Sequence, residues 1–228
     1  VNIEYEIQEI YHLAALLSTQ SELSPHRAHE VNATGTLNML SIAIEQTKIN
    51  GTPTKFFFPS SIAVYSTKSD NENKIKEEEY CNPKTMYGCN KLYCEKLGIY
   101  YANNYQKLSD DFTPGLIDFR AIRFPGLISA FTIPTGGTSD YLPEMLHASV
   151  QEKTYTCFVH KNTRMPFMVM PDAISAIYLL MNTPKKRLSS HIYNITSFNP
   201  SPDEFYSLLK KYLPKSKIVY DINEKKQE

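Results

Sequence analysis

The fold class this sequence predicts is α/β, built on a parallel sheet. Three short apolar runs, 9–15 (EIYHLAA), 55–61 (KFFFPSS) and 119–124 (FRAIRF), are continuous rather than alternating, as in strands buried on both faces. A helical pattern fills each interval between them. Strand, helix, strand, helix, strand at these lengths implies right-handed crossovers and helices on both faces of one sheet.

Taken in order, the first run closes on the small residues of His12-Leu13-Ala14-Ala15, where a flat ligand could approach the backbone or a helix could pack on the sheet. The helix expected over about 25–46 carries Val31, Leu37, Leu40 and Ile44, with Ala33 and Ala43, near helical spacing. The second run ends in Ser60 and Ser61. A helix over about 84–105 follows, with Leu92, Tyr93, Leu97, Tyr100 and Tyr101, and then the third run. Beyond Phe124 the texture changes: Pro125-Gly126, Pro134 and Gly136-Gly137 punctuate a loop-rich stretch. Helices are expected near 141–151 and 172–181, and strands near 191–195 and 217–220. Ser201-Pro202-Asp203-Glu204 is a capping box with Pro at the first helical position, opening a helix to about 213. Residues 70–79 (DNENKIKEEE) read as a solvated surface loop.

Composition excludes several function classes. The 228 residues carry 24 Lys+Arg against 24 Asp+Glu, so no basic excess points to nucleic acid or an anionic membrane. The longest apolar runs fall far short of the roughly 20 residues of a spanning helix. The start, Val1-Asn2-Ile3-Glu4, has neither the basic nor the apolar part of a secretory signal. Cys81, Cys89, Cys94 and Cys157 are too few and too irregular for a disulfide framework, and none has a histidine at metal-like spacing. No metal site is expected, and a reducing compartment is, cytoplasmic or mitochondrial rather than secreted.

The chemistry concentrates at Tyr87-Gly88-Cys89-Asn90-Lys91. A tyrosine and a lysine four apart share one helix face. A nearby ammonium favours the phenolate, so Lys91 is expected to lower the Tyr87 pKa and make the phenol a general base for an alcohol proton. Among 16 tyrosines such a pair is cheap by itself. Its context is Ser61, at the carboxyl end of an apolar strand, where open α/β sheets place their ligands. Ser60 is the alternative hydroxyl, and either serine could simply terminate the strand.

Together these pieces resemble the extended short-chain dehydrogenase/reductase superfamily of NAD-dependent epimerases and dehydratases. The matching stretches are HLAA at 12–15, NATGTLN at 32–38, PSSIAVY at 59–65, YGCNK at 87–91 and RFPG at 123–126, in the family's order. The resemblance implies a Rossmann-like sheet and a catalytic set of Tyr87, Lys91 and Ser61. It also implies NAD as cofactor, with Lys91 and Tyr87 on the nicotinamide ribose. Leu13, Ala14, Ala15, Asn32, Pro125 and Leu127 would lie near the nicotinamide half, and Ser60 is counted with them. Residues 1–130 would form the later part of the NAD-binding domain. Residues 131–228 would be mostly a substrate-side subdomain, with a helix and a strand returning to the sheet.

Within the superfamily, residues 124–141 and 162–173 look most like the L-threonine 3-dehydrogenase branch, which oxidises the 3-hydroxyl of L-threonine to 2-amino-3-oxobutanoate. Ser18, Gly136, Gly137 and Thr138 are then candidate substrate contacts. Arg164 reads either as a bidentate partner for the substrate carboxylate or as a structural arginine paired with Asp172 or another acid. A nucleotide-sugar epimerase or dehydratase, and a non-catalytic remnant, are the rival readings. The superfamily often forms homodimers through the two long helices.

The sequence also departs from the family. A glycine-rich phosphate loop is expected roughly 65–75 residues before HLAA in such folds. Only 11 residues precede His12 here, and the chain has no glycine before Gly35 and no Trp. The first βαβ units are therefore expected to be missing, and the chain reads as a piece of a longer enzyme. The run at 9–15 would then be a long apolar sheet edge, prone to foreign strand pairing, and these residues alone are expected to dissolve poorly and bind NAD poorly.

Overall fold

A computed structural model describes residues 5–66, 74–134 and 137–227. The start of the chain, most of the first half of the 70–79 patch, and Gly136 lie outside the described residues. The described chain divides into two compact units, one running to Arg123 and resuming over Ala176–Ile195, the other comprising Phe124–Ser175 and the residues from Thr196 on.

The first unit holds a four-stranded sheet, ordered β1 (Glu9–Tyr11), β2 (Thr54–Ser61), β3 (Ile117–Phe124) and β7 (Ile192–Asn194). β1 runs parallel to β2, with Ile10 opposite Phe56, and β3 runs parallel to β7, with Ile122 opposite Tyr193. The class is α/β, as the apolar runs predict. Every residue of β3 is buried, which explains why its pattern shows no alternation.

The edge strand differs from its expectation. It is three residues long rather than seven, with Glu9 and Tyr11 exposed around a buried Ile10. His12 still donates to the Phe57 carbonyl, but the Leu13 N–H turns back onto the Tyr11 carbonyl at 3.1 Å and ends the ladder. The expected long apolar edge is thus a short one with alternating exposure.

After β1 come α1 (Ser18–Leu23) and one long helical run. That run is α2 (Pro25–Ala28), a π-turn over His29–Thr34, and α3 (Gly35–Asn50), ended by Gly51 at φ 69°. The Gly35 N–H donates to the Glu30 carbonyl, the five-residue reach that defines the π-turn. α4 (Met86–Asn103) lies between β2 and β3 and is capped by Thr85, whose hydroxyl accepts the Gly88 N–H. The core of this unit joins Leu40, Ala43 and Ile44 of α3, Phe56 and Phe58 of β2, Phe119 of β3 and Cys94 of α4. A methyl at Gly98 of α4 would lie 2.2–2.5 Å from three carbons of the fully buried Phe119 ring. Gly98→Ala should therefore cost about 1–3 kcal/mol by overpacking; an unchanged urea midpoint would refute this close approach.

The 74–79 segment is tied down rather than freely solvated. The Glu77 carbonyl accepts from Arg123 and its carboxylate accepts the Asn194 N–H. Elsewhere in the unit, Arg120 pairs with Asp118 and donates to the carbonyls of Leu180, Met181 and Thr183, a cation on the carboxyl end of α6 (Met170–Asn182).

The second unit pairs β4 (Gly126–Ile128) with β6 (Phe167–Val169) and β5 (Thr154–Cys157) with β8 (Lys217–Tyr220), both in parallel. α5 (Tyr141–Val150) and α7 (Pro202–Tyr212) pack with them around Tyr141, Leu142, Met145, Phe167 and Leu209. The capping box at Ser201 and Glu204 is formed in both directions. A final turn, α8 (Glu224–Gln227), follows. Among the described residues no helix is long and apolar enough to cross a membrane.

Candidate active site

The site grows from the carboxyl end of β2 and the first turns of α4. β2 delivers Ser60 and Ser61, and the chain then closes a short 3₁₀ turn over Ile62–Val64. Ser61 caps that turn, its Oγ accepting the Ala63 N–H at 3.2 Å. Gly88 lets α4 come against it: a Cβ there would stand 2.1 Å from the Ala63 carbonyl oxygen. This approach brings Tyr87 to Ser61, whose hydroxyl is hydrogen-bonded to the phenol. One turn on, Lys91 is buried under the same face and donates to the Pro59 carbonyl at 2.6 Å. Its Nζ lies 4.7 Å from the Phe58 ring centroid and 5.4 Å from that of Tyr87.

The electrostatics correct one expectation. Lys91 does not pull the phenol down. Burial dominates and pushes Tyr87 up to about 12, with the Ser61 hydrogen bond acting in the opposite direction. The ammonium faces the ring and is spent on Pro59, so it gives the phenolate oxygen little help. Burial brings Lys91 down to about 8, against the opposing pull of Cys94 and Glu95. His12, opposite, is lowered by burial and then by the Lys91 charge, and its Nε2 meets Thr36 Oγ1 at 3.0 Å.

Linkage fixes the sign of the pH effect. Between pH 8 and its ordinary value of 10.5, Lys91 keeps its proton unfolded and loses it folded. Stability from this group therefore rises with pH across that window, and its burial cost is fully present below pH 8. Urea unfolding at pH 8, 9 and 10 should show this slope in the parent chain and not in Lys91→Met. Parallel pH dependences in the two would contradict the assignment.

The other sequence candidates fall as follows. Leu13 and Ala14 are exposed beyond β1, and Ala15 is half-buried. Asn32, in the π-turn, is buried with its amide fully used: Oδ1 accepts the Leu16 N–H, and Nδ2 donates to the Leu16 carbonyl and to Asn90. Ser18 is the first residue of α1. Ser60 is buried and donates to Glu95 at 2.5 Å. Pro125, Leu127, Gly137, Thr138 and Arg164 belong to the second unit. There Pro125 is buried, Leu127 sits in β4, and the Gly137 N–H donates to Asp140 beside an exposed Thr138. Arg164 is bidentate to Glu204 and donates to the Asn199 carbonyl, so the acid it pairs with is Glu204, not Asp172.

For NAD, the residues present fit the nicotinamide–ribose half. Leu13 and Ala14 are exposed just beyond β1, and Tyr87 and Lys91 stand one turn apart on α4.

Two polar residues central to this unit escaped the sequence reading. Glu95 continues the Tyr87–Lys91 face one turn further. It is fully buried and bidentate to Arg123, at 2.7 Å from Nε and 2.6 Å from Nη2. Arg123 also donates to the Tyr65 hydroxyl at 2.5 Å and to the Glu77 carbonyl at 2.7 Å. Burial works against its charge, but the Glu95 carboxylate more than offsets this and holds it above the ordinary arginine value. The available signal was a glutamate in register with Tyr87 and Lys91, and an arginine inside an otherwise apolar strand.

A parallel sheet with Ser61 at the carboxyl end of β2, and Tyr87 and Lys91 beside it on α4, is the layout of the α/β class that binds its ligands at the carboxyl ends of the strands. Comparison with known proteins makes this particular. Residues 2–196 match the model of the NAD dependent epimerase/dehydratase family. The mitochondrial L-threonine 3-dehydrogenase of Bos taurus is 31% identical over 225 residues, covering 99% of this chain and 56% of that protein. An uncharacterized epimerase/dehydratase of Staphylococcus aureus is 35% identical over 223 residues, covering 96% of this chain and 64% of that one. The crystal structure of L-threonine dehydrogenase from Clostridium difficile superposes with a TM-score of 0.85 at 36% identity, over 98% of this chain and 65% of that one. The chain belongs to the NAD dependent epimerase/dehydratase family, and it spans less than two thirds of the length of these relatives.

Proposed function

We propose that the whole protein is an NAD-dependent dehydrogenase that oxidises the 3-hydroxyl of L-threonine to 2-amino-3-oxobutanoate. The observation that carries this reading is the Ser61 hydroxyl on the Tyr87 phenol with Lys91 one helical turn away. The threonine dehydrogenases among the relatives supply the substrate.

In this reading Ser61 orients the substrate hydroxyl and Tyr87 takes its proton. Lys91 and Tyr87 would hold the nicotinamide ribose, with Leu13, Ala14, Ala15, Pro125 and Leu127 beside the ring. Bound NAD would accept the hydride from the substrate's C3. Since Tyr87 stands at about 12 in the protein alone, the proton leaves readily only when further positive charge comes close to the phenol. Asn32 supports the loop behind Leu16 rather than offering its amide. Ser18 and Thr138, with the Gly136-Gly137 backbone, are the proposed substrate contacts. Arg164 is left out of that set because Glu204 already occupies its guanidinium. The substrate side is assigned to the C-terminal part, residues 131–228, and the assembly to a homodimer through the two long helices. Cytoplasm or mitochondrion is the proposed compartment, the bovine relative being mitochondrial.

The test is NADH formation by the full-length gene product with L-threonine, with UDP-sugars, and with neither. Threonine-dependent NADH supports the proposal. Turnover of a UDP-sugar instead would make the protein an epimerase or dehydratase, and no turnover of either would make it a non-catalytic relative.

A further inference from the structure

The Glu95–Arg123 ion pair grips the chain on both sides of Ser61. On the amino side, Ser60 Oγ donates to Glu95 Oε1 at 2.5 Å, and the Arg123 Nε donates to the same oxygen at 2.7 Å. On the carboxyl side, Arg123 Nη1 donates to the Tyr65 hydroxyl at 2.5 Å, which in turn donates to Asn194 Oδ1 at 2.8 Å. Between the two grips lie only Ser61 and the 3₁₀ turn Ile62–Val64, closed by the Tyr65 N–H on the Ile62 carbonyl. Both ionic partners are essentially without solvent contact, at 0% and 1% exposure, so water neither competes for these bonds nor lends them slack.

A buried ion pair is costly to make and seldom kept for stability alone. None of its hydrogen bonds goes to the Tyr87 phenol. What it adds is two short, charge-assisted bonds that fix the segment presenting the Ser61 hydroxyl. We propose that Glu95 and Arg123 are positioning residues that hold Ser61 in line with Tyr87, acting through Ser60 and Tyr65. The inference deepens the dehydrogenase reading and rests on it for its catalytic consequence.

A single substitution in the pair would strand a buried charge, so the test removes one grip at a time. Ser60→Ala deletes the bond to Glu95, Tyr65→Phe deletes those to Arg123 and Asn194, and both leave the ion pair in place. Two measurements are made on the full-length protein. Amide hydrogen exchange should accelerate about tenfold at Ala63 and Tyr65, whose N–H bonds close the turn, with β3 and α4 unchanged. In the threonine assay, kcat should fall about tenfold for either variant with KM for NAD unchanged, and the double variant should fall further. A contact of Ser60 with the cofactor would instead raise KM for NAD in Ser60→Ala alone and overturn the positioning role. Unchanged exchange over 61–65, exchange that accelerates across the whole unit, or local acceleration with normal kcat would each overturn it too. If the parent protein turns over no threonine, the functional reading fails separately, and the exchange data alone decide whether the clamp exists.

Discussion

Tyr87→Phe will lower kcat/KM by several orders of magnitude, on the order of 10³–10⁴-fold, toward the upper end for a positioned proton-transfer group. The ring stays, and with it the face that Lys91 covers. Only the hydroxyl is lost, along with its bond to Ser61. Thermal unfolding should therefore stay close to that of the parent chain. Ser61→Ala keeps the base and removes the group that orients the substrate oxygen, so its loss should be smaller, about 10²-fold. It also removes the force that opposes burial at the phenol, so the Tyr87 pKa rises further and the rate maximum moves to higher pH. Steady-state kinetics of the full-length protein across pH check both. Near-normal turnover by Tyr87→Phe would end the proposed mechanism.

The largest loss of stability is expected at Glu95→Ala, about 3–5 kcal/mol, because it strands a buried guanidinium. Arg123 would keep the Tyr65 hydroxyl and the Glu77 carbonyl, both uncharged. No solvent reaches it to compensate. Replacing both partners with apolar residues, Glu95→Leu with Arg123→Met, should cost far less than either single change, since no charge is then left behind. Urea unfolding of the four proteins forms a complete cycle. Additive single losses would show that the pair is not coupled as its geometry requires.

Much of this arrangement was legible in the sequence, for identifiable reasons. The apolar runs ending in Ser61 and Phe124 have no alternation because β2 and β3 are covered on both faces, and that composition marks them directly. Tyr87 and Lys91 carry their relation in their spacing, since a helix turns four residues into one face. β1 was overread because local composition cannot tell a strand from the coil after it. Leu13 is as apolar as Ile10, but its N–H is committed to Tyr11. The short strands β4, β5 and β6 lay hidden in punctuated, loop-like texture for the same reason. The phenol's pKa was misjudged because spacing reports proximity and not direction: Lys91 comes near Tyr87 and aims at Pro59. Glu95 and Arg123 went unnoticed because their partners are distant in the chain, and a buried charge is visible only once its counter-charge is in place.

The π-turn over His29–Thr34 bears on how this region can vary in length. A π-turn amounts to one surplus residue in an α-helix, and that residue advances everything downstream by about 100° of helical phase. The rotation lets Asn32 face Leu16 and Asn90 while Leu40, Ala43 and Ile44 face the sheet. Rewound by a single-residue deletion, the helix could satisfy one of these faces but not both. The loop after β1 thus takes its shape from a counting error preserved in a neighbouring helix. In this stretch the number of residues is under tighter physical constraint than the identity of most of them.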